Sequence, residues 1–350
     1  MTAITLEKRF SLPVIHLAVE DNGRMNLSSS EIIRRFPLRI TVTDYCNAGC
    51  VFCSNDGMGE RRNGVHVDSD KFTYLINILA QKGVNHISLS GGDPTMHPEI
   101  CELVEVVNRT GVKKRFFHTN GILLGRPGLV DGLREFTKIG VSVHALDPEL
   151  YYRIVRAKVG SYEKVIDNLR MLREEGLATK VEVKHVPMKG INDSPEVIKR
   201  TLEYCAENGF RFKILNLEPI KAEDLPLRED IDVIRQRVLE LGAIPLGDTS
   251  FRGQVNYLPI TSYQYKGVRG TVIEIGCGKP KVCASCFESN EICLTPELGI
   301  KSCNTNPYTI PLNDLIEVKD GNGIVKRIVA SRKFLATMPG VNIEYWSQQT

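Results

Sequence analysis

Three cysteines, Cys46, Cys50 and Cys53, stand in ITVTDYCNAGCVFCSNDG with the spacing C-x3-C-x2-C, directly after a β-rich run. Three thiolates on one short loop suit one metal centre, but they are one short of the closed four-cysteine set of a structural zinc or an electron-transfer cluster. The incomplete set leaves two readings: a zinc knuckle with its fourth ligand elsewhere, or a [4Fe-4S] cluster with one iron free to bind a reactant. A second group, Cys277, Cys283, Cys286, Cys293 and Cys303, crowds CGKPKVCASCFESNEICLTPELGIKSC. There Cys283 and Cys286, with Cys303 and one of Cys277 or Cys293, read either as a zinc ribbon or as a second iron-sulfur site. Cys101 and Cys205 fall in helical patterns, ICELVEVV and LEYCAENG, and read as small core thiols.

The chain that positions them has 350 residues, of which 42% are hydrophobic and 25% charged. These values exclude a disordered, collagen-like or coiled-coil chain. A formal charge of +3 is too small to indicate nucleic-acid or membrane binding. No window approaches the roughly 18 apolar residues of a membrane span. The start, MTAITLEKRF, lacks the apolar core of a signal peptide. A cytoplasmic protein is expected, in which cysteines serve as ligands, nucleophiles or core residues rather than disulfides.

Between residues 38 and 218, β-rich runs alternate with helical periodicities. The runs LRITVT (38–43), HISLS (86–90), KRFFHT (114–119), VSVHA (141–145), KVEVKHV (180–186) and RFKILNL (211–217) predict six strands. The segments SDKFTYLINILAQKG, HPEICELVEVVNRTG, LVDGLREFTKIG, SYEKVIDNLRMLREEG and SPEVIKRTLEYCAENG predict the helices, with Ser161 and Ser194 as N-caps. No strand shows the clean alternation of a one-faced sheet, so a parallel α/β fold is expected, with its site at the C-terminal strand ends. After residue 220 come an acidic stretch, a helix around DVIRQRVLELG, loops with aromatic residues, the second cysteine group and a helix around GIVKRIVASRKFLATM. A boundary falls near residue 222. Residues 1–37 read as an extension in which Arg34 and Arg35 are a solvated pair.

The strand ends carry a series of motifs. After the second comes SLSGGDPTMHPE, where Gly91 and Gly92 let backbone approach a ligand closely. The third ends in HTNG, the fourth in VSVHALDPELYYRI and the fifth in VKHVPMKGIND. With the cysteine loop, these resemble, in order, the motifs of the radical S-adenosylmethionine (SAM) superfamily. The resemblance implies a partial (βα)6 TIM-type barrel over residues 38–222 and a smaller C-terminal domain over 223–350. It implies that SAM chelates the open iron of a [4Fe-4S] cluster held by Cys46, Cys50 and Cys53. An electron from a flavodoxin- or ferredoxin-type donor then cleaves the sulfonium to a 5'-deoxyadenosyl radical, which abstracts hydrogen from a substrate. Phe52, Gly91, Gly92, Asp93, Thr119, Asn120, His144, Arg156 and Met188 are the implied SAM contacts. Asp93 stands where the family has Glu and reaches less far.

Within the superfamily the chain looks most like the GTP-cyclising branch of molybdenum cofactor biosynthesis, whose C-terminal domain binds a second [4Fe-4S] cluster through C-x2-C-x13-C. Here the last gap, from Cys286 to Cys303, is x16, with Cys293 inside the insertion as the better candidate for a fourth ligand. The branch's two nucleotide-holding arginines are replaced by the run FESNEICLT, and the chain ends NIEYWSQQT where the branch has a double-glycine tail. Arg39 matches one phosphate-side arginine, and Glu218 is poised to meet ribose hydroxyls or substrate. The expected reaction is hydrogen abstraction from a small polar nucleotide, nucleoside or sugar derivative, followed by rearrangement, oxidation or epimerisation. The other readings are a peptide-modifying maturase, GTP cyclisation itself, and a non-catalytic metal or electron-transfer protein. His118, His144 and His185 lie near the barrel mouth, and one of Tyr257, Tyr263, Tyr265 or Tyr308 can relay a hydrogen atom; the catalytic residue itself is not selected.

Overall fold

The computed structural model describes residues 29–53, 64–219, 222–249, 260–275, 291–301 and 309–335. Six strands pair in parallel and in chain order: β1 (Leu38–Thr41), β2 (His86–Ser90), β3 (Lys114–Thr119), β4 (Lys138–Ser142), β5 (Val181–His185) and β6 (Arg211–Leu215). Between them run α2 (Ser69–Gln81), α3 (Ile100–Arg109), α4 (Leu129–Leu133), α5 (Pro148–Val155), α6 (Ser161–Glu174) and α7 (Pro195–Asn208). Before β1, α1 (Ser29–Arg35) buries Ile32 and Ile33, so this part of the expected extension packs into the core while Arg34 stays exposed.

Local rules explain the helices. In α2 the Asp68 carboxylate accepts from Lys71 N, and Phe72, Leu75, Ile76 and Leu79 recur at helical spacing on the buried face. In α7, Ser194 caps the first turn, Pro195 opens it, and Gly209 ends it in the left-handed conformation at φ 69°. Ser161 differs from expectation: it is the first helical residue of α6, and the cap position belongs to Gly160.

The largest departure is at the fourth unit. Sequence periodicity assigned LVDGLREFTKIG to a helix, but α4 stops at Leu133 and Lys138–Ser142 form β4. Beyond Ser142 the chain leaves the sheet, because His144 adopts φ 63°, a conformation incompatible with a strand.

Residues expected as aromatic loops are strands. After α8 (Ile231–Glu240), β7 (Ile244–Thr249), β8 (Ile260–Tyr265) and β9 (Val268–Ile273) form an antiparallel meander that joins β6 through β9. Tyr263 and Tyr265 are buried in β8, with burial pushing the Tyr263 phenol up; Tyr257 and Tyr308 lie outside the described residues. At the other edge, β10 (Ile292–Leu294) pairs in parallel with β1 and is followed by β11 (Gly299–Lys301) and β12 (Thr309–Pro311). Then α9 (Asn313–Glu317) and α10 (Gly321–Leu335) pack back against α2, and α10 also against α1. Among the described residues one twelve-stranded sheet results, in the order β12-β11-β10-β1-β2-β3-β4-β5-β6-β9-β8-β7.

The two faces of this sheet differ in chemistry. Ile87, Leu89, Phe117, Ile139, Val141, Val181, Val183, Phe212 and Ile214 are completely buried in the core. The alternate positions on the same strands are Ser88, His118, Gly140, Glu182, Lys184 and Lys213, brought side by side by the parallel register. Six parallel strands in chain order with helices between them form a partial barrel, and this face is its inside. VEVKH in β5 does alternate; the polar half faces the inside of the partial barrel rather than bulk solvent.

Candidate active site

The cysteine loop leaves β1 and is pinned from below by the end of α5. Gly49 N donates to Val155 O at 2.9 Å and Val51 N to Ile154 O at 3.0 Å, so the residues on either side of Cys50 are held by backbone. Cys46 and Cys50 are half-buried and Cys53 is exposed. Among the described residues no three such side chains converge closely enough to share one metal ion; in a [4Fe-4S] cluster each thiolate takes a separate iron.

Gly91 and Gly92 serve backbone packing. A Cβ on Gly91 would lie 2.4 Å from Thr43 O, and one on Gly92 would lie 2.4 Å from Tyr45 O. Gly92 N and Asp93 N donate to those same two carbonyls at 2.8 and 2.9 Å. The glycines expected to admit a ligand thus admit the strand that leads into the cysteine loop.

Asp93 is buried, and both its oxygens are engaged inside the protein. It accepts from Thr95 N at 2.9 Å, from the Thr95 and Thr119 hydroxyls and from Asn120 N at 2.6 Å. Burial raises its pKa, and these donors oppose the shift. The shorter carboxylate therefore ties the β2 loop to the end of β3. Asn120 carries the tie onward, donating from Nδ2 to Asn47 Oδ1 at 2.7 Å and to Cys46 Sγ at 3.7 Å.

The fourth and fifth strand ends close the far side. The Phe52 ring meets His144 edge-on at 4.8 Å between centroids. His144 O accepts from Asn192 Nδ2 at 2.9 Å, and Asn192 Oδ1 accepts from Met188 N at 2.7 Å. Burial, with His185 and Lys184 adding to it, lowers the His144 pKa to about 3, so the ring is neutral. Met188 is completely buried, whereas Arg156, in the left-handed conformation at φ 50° after α5, is exposed. His185 belongs to the packing: its ring meets Asn192 O at 3.1 Å and the Thr201 hydroxyl at 3.3 Å. Asn192 was quoted within GIND without a role of its own, and its three bonds show that it holds this corner together.

Inside the barrel the polar face carries a charged network. Arg39 pairs with Glu291 at 3.2 Å and donates to the Ser90 hydroxyl at 3.2 Å, one residue before Gly91, so the network adjoins the loops above. Glu182 takes Lys138 at 2.8 Å and Lys213 at 3.9 Å. Burial pushes the Glu182 carboxyl up, but Lys213 and Lys138 outweigh it and hold the pKa down. Lys184 Nζ donates to His118 Nδ1 at 2.9 Å across β4. Gly140 makes this possible, since a Cβ there would lie 2.6 Å from Lys184 Cε and 2.8 Å from His118 Nδ1. Burial first, then Lys184, Arg39, Lys213 and Lys138, hold the imidazole well below its usual range. His118 is therefore a neutral ring whose Nε2 carries the proton. Of these groups, Arg39 was named from the sequence as a substrate contact and His118 only as near the barrel mouth; Lys138, Glu182, Lys184 and Lys213 had gone unremarked.

Comparison with known proteins agrees with this architecture. Residues 40–205 match the Radical SAM superfamily. The chain carries a radical SAM domain. A probable GTP 3',8-cyclase of Pyrobaculum aerophilum is 26% identical over 294 residues, covering 82% of this chain and 90% of that protein. The corresponding Methanocaldococcus jannaschii protein is 30% identical over 189 residues, covering 53% of this chain and 60% of that protein. Among solved structures, Streptococcus suis SuiB bound to S-adenosylmethionine superposes with a TM-score of 0.59 at 18% identity, covering 83% of this chain and 68% of that one, which is a likeness of fold.

A radical SAM domain implies SAM and a [4Fe-4S] cluster, and the residues present fit them. Cys46, Cys50 and Cys53 would supply the thiolates, and the Asn120 amide is directed at Cys46. Tyr151, which stands in the VSVHALDPELYYRI motif with no role of its own, lies on the helix that pins the same loop; its hydroxyl is buried with no hydrogen-bond partner among the described residues. Of the second cysteine group, Cys293 is described: buried in β10, in register with Arg39 on one side and Lys301 on the other. Cys277, Cys283, Cys286 and Cys303 lie outside the described residues. Glu218, just past β6, is partly buried. No helix among the described residues is long and apolar enough to cross a membrane.

Proposed function

We propose that the chain cleaves SAM reductively at a cluster held by Cys46, Cys50 and Cys53 and directs the resulting radical at a small polar metabolite. The substrate carries a phosphate or carboxylate that is seated inside the barrel. The observation that carries this reading is the charge of the inner face: Arg39, Lys138, Lys184 and Lys213 against Glu182 and Glu291. Among the described residues these partly buried cations outnumber the carboxylates, and a phosphate or carboxylate accepts the strong charge-assisted bonds they offer. A nucleotide, nucleoside or sugar derivative has both such a group and the C–H bonds that radical chemistry needs.

When bound, the cluster and SAM supply the one-electron cleavage that yields the 5'-deoxyadenosyl radical. The chain's residues do the rest. Gly91, Gly92 and Asp93 fix the β2 loop against Thr43–Tyr45, and Thr119 and Asn120 hold the opposite wall. Phe52, His144 and Asn192 close the third side, with His144 neutral. Arg39 and Lys213 orient the anionic end of the substrate below, while Lys184 holds His118 with its Nε2–H available as a further donor.

Cys283, Cys286 and Cys303, with Cys293 as the candidate fourth ligand, form the second cluster in this reading, within a C-terminal unit spanning residues 223–350. A flavodoxin- or ferredoxin-type protein is the electron donor. The names of the relatives favour a second reading, GTP 3',8-cyclisation itself; the replaced arginines of FESNEICLT argue against it.

The test is anaerobic reconstitution followed by incubation with SAM, reductant and a panel of GTP, other nucleotides, sugar nucleotides and sugar phosphates. A compound that raises 5'-deoxyadenosine release supports the reading, and GTP as the one active compound replaces it with the second. Release with none of the anionic compounds, but with neutral analogues, overturns the anionic substrate.

A further inference from the structure

Tyr151 occupies an unusual position for a phenol. It lies on the buried face of α5 with Ile154 and Val155, one turn before the carbonyls that hold Gly49 and Val51 around Cys50. Its ring is fixed edge-on between Tyr152, at 5.5 Å, and Tyr162, at 5.4 Å. Tyr152 and Tyr162 both spend their hydroxyls within the protein: Tyr152 on Glu163 at 2.9 Å and on Gly160 N at 2.7 Å, and Tyr162 on Leu146 O at 2.9 Å. The Tyr151 hydroxyl is buried, and no group among the described residues bonds it.

A buried hydroxyl without a partner is destabilising, and most such groups in folded proteins are satisfied. One that persists on the helix pinning the cysteine loop is explained if its partner comes with the metal centre. We propose that Tyr151 donates a hydrogen bond to the sulfur ligands of the [4Fe-4S] cluster at Cys50 and so raises the ease with which that cluster is reduced. The inference rests on the reading that Cys46, Cys50 and Cys53 hold the cluster. A phenol titrates at about 10, so it is a protonated donor at every working pH. A donor to cluster sulfur stabilises the more negative, reduced form, one of the terms that sets a cluster's potential.

The experiment compares the full-length, reconstituted wild type with Tyr151→Phe, which keeps the ring and removes the donor. Electron paramagnetic resonance during redox titration gives the midpoint. Electron-nuclear double resonance after exchange into D2O reports deuterons coupled to the cluster. The expected result is a more negative midpoint in the variant, with a reduced fraction several-fold lower at the potential where half the wild-type cluster is reduced, and loss of one exchangeable coupling. Thermal stability adds a readout that activity does not share. Tyr151→Phe leaves the metal-free chain as stable or more stable but lowers the melting temperature of the cluster-loaded form. Tyr152→Phe, which removes a hydroxyl bonded elsewhere, leaves the midpoint in place. An unchanged midpoint and unchanged couplings in an iron-loaded Tyr151→Phe protein overturn the proposal alone. Failure of the wild type to take up iron overturns the reading on which it rests. Should the variant not fold, the absence of an exchangeable coupling beyond the Asn120 amide in the wild type decides against it.

Discussion

The rim of the barrel and its interior are built on different principles. At the rim, the cysteine loop, the Gly-Gly turn and the ends of β3, β4 and β5 are joined mainly by backbone groups and by short side chains that bond backbone: Gly92 to Thr43, Asp93 to Asn120, Asn192 to His144. In the interior, long charged side chains meet one another across strands: Arg39 with Glu291, Lys138 with Glu182, Lys184 with His118. A backbone-built rim leaves little room for change, because each contact constrains two segments at once. An interior built of side chains on fixed strands can be rewritten one residue at a time without moving the sheet. On this view the rim is suited to a chemistry shared across a superfamily and the interior to the choice of substrate.

Several measurements would break or sharpen that contrast. The largest effect is expected from Cys50→Ala, which removes a thiolate from the loop: iron content should collapse and 5'-deoxyadenosine formation fall by at least about a thousandfold. Retention of a full cluster, measured by iron and sulfide analysis, would remove Cys50 from the site. Gly92→Ala should damage the rim nearly as specifically, since its Cβ would meet the Tyr45 carbonyl at 2.4 Å. A cost of about 1–3 kcal/mol in urea denaturation is expected, with a perturbed cluster spectrum. An unaltered spectrum would mean that the rim tolerates displacement.

Lys213→Met should act on the interior alone. Losing one charge-assisted contact should raise KM for the anionic substrate about 10- to 100-fold, while the change in the cluster signal on adding SAM persists. If KM holds and the SAM response is lost, the division between rim and interior is wrong.

The smallest effect is a pH dependence of stability. Burial, the largest cause for both, lowers the pKa of His144 to about 3 and that of His185 to about 4. An unfolded histidine titrates near 6.5. The stability that goes with these neutral rings is complete above the unfolded value and declines as the pH falls from there toward 4, because only the unfolded chain takes up the protons. Between pH 7 and pH 6 the expected loss is roughly 0.5–1 kcal/mol per histidine. Urea midpoints at the two pH values check it, and His185→Gln should make the decline shallower. A flat profile would show that these rings take up protons in the folded chain.

Much of the fold was legible in local pattern. HISLS and KRFFHT are the strands His86–Ser90 and Lys114–Thr119, and Ser194 and Gly209 bound their helix as capping chemistry requires. The failures have a common origin. LVDGLREFTKIG has helical periodicity, yet its last residues join the sheet because Lys138 and Gly140 are needed in register between β3 and β5. ITSYQY and VRGTVI form strands because β9 finds the free edge of β6. Strand pairing is a contract between distant segments and leaves a weak local trace.

The site divides in the same way. Residue types at short spacing carried the cysteine loop and the strand-end motifs, since a metal centre asks for particular ligands at particular intervals and a tight turn asks for glycine. What those residues touch was decided by the tertiary structure: the two glycines face the backbone of Thr43–Tyr45, and Asp93 spends its carboxylate inside the protein. Tyr151 and the lysines of the interior left no mark in the sequence beyond an ordinary helix and an ordinary alternation. Their meaning comes from pairing six strands into a partial barrel, which brings together charges far apart in the chain and buries a phenol on the helix that pins a loop of cysteines.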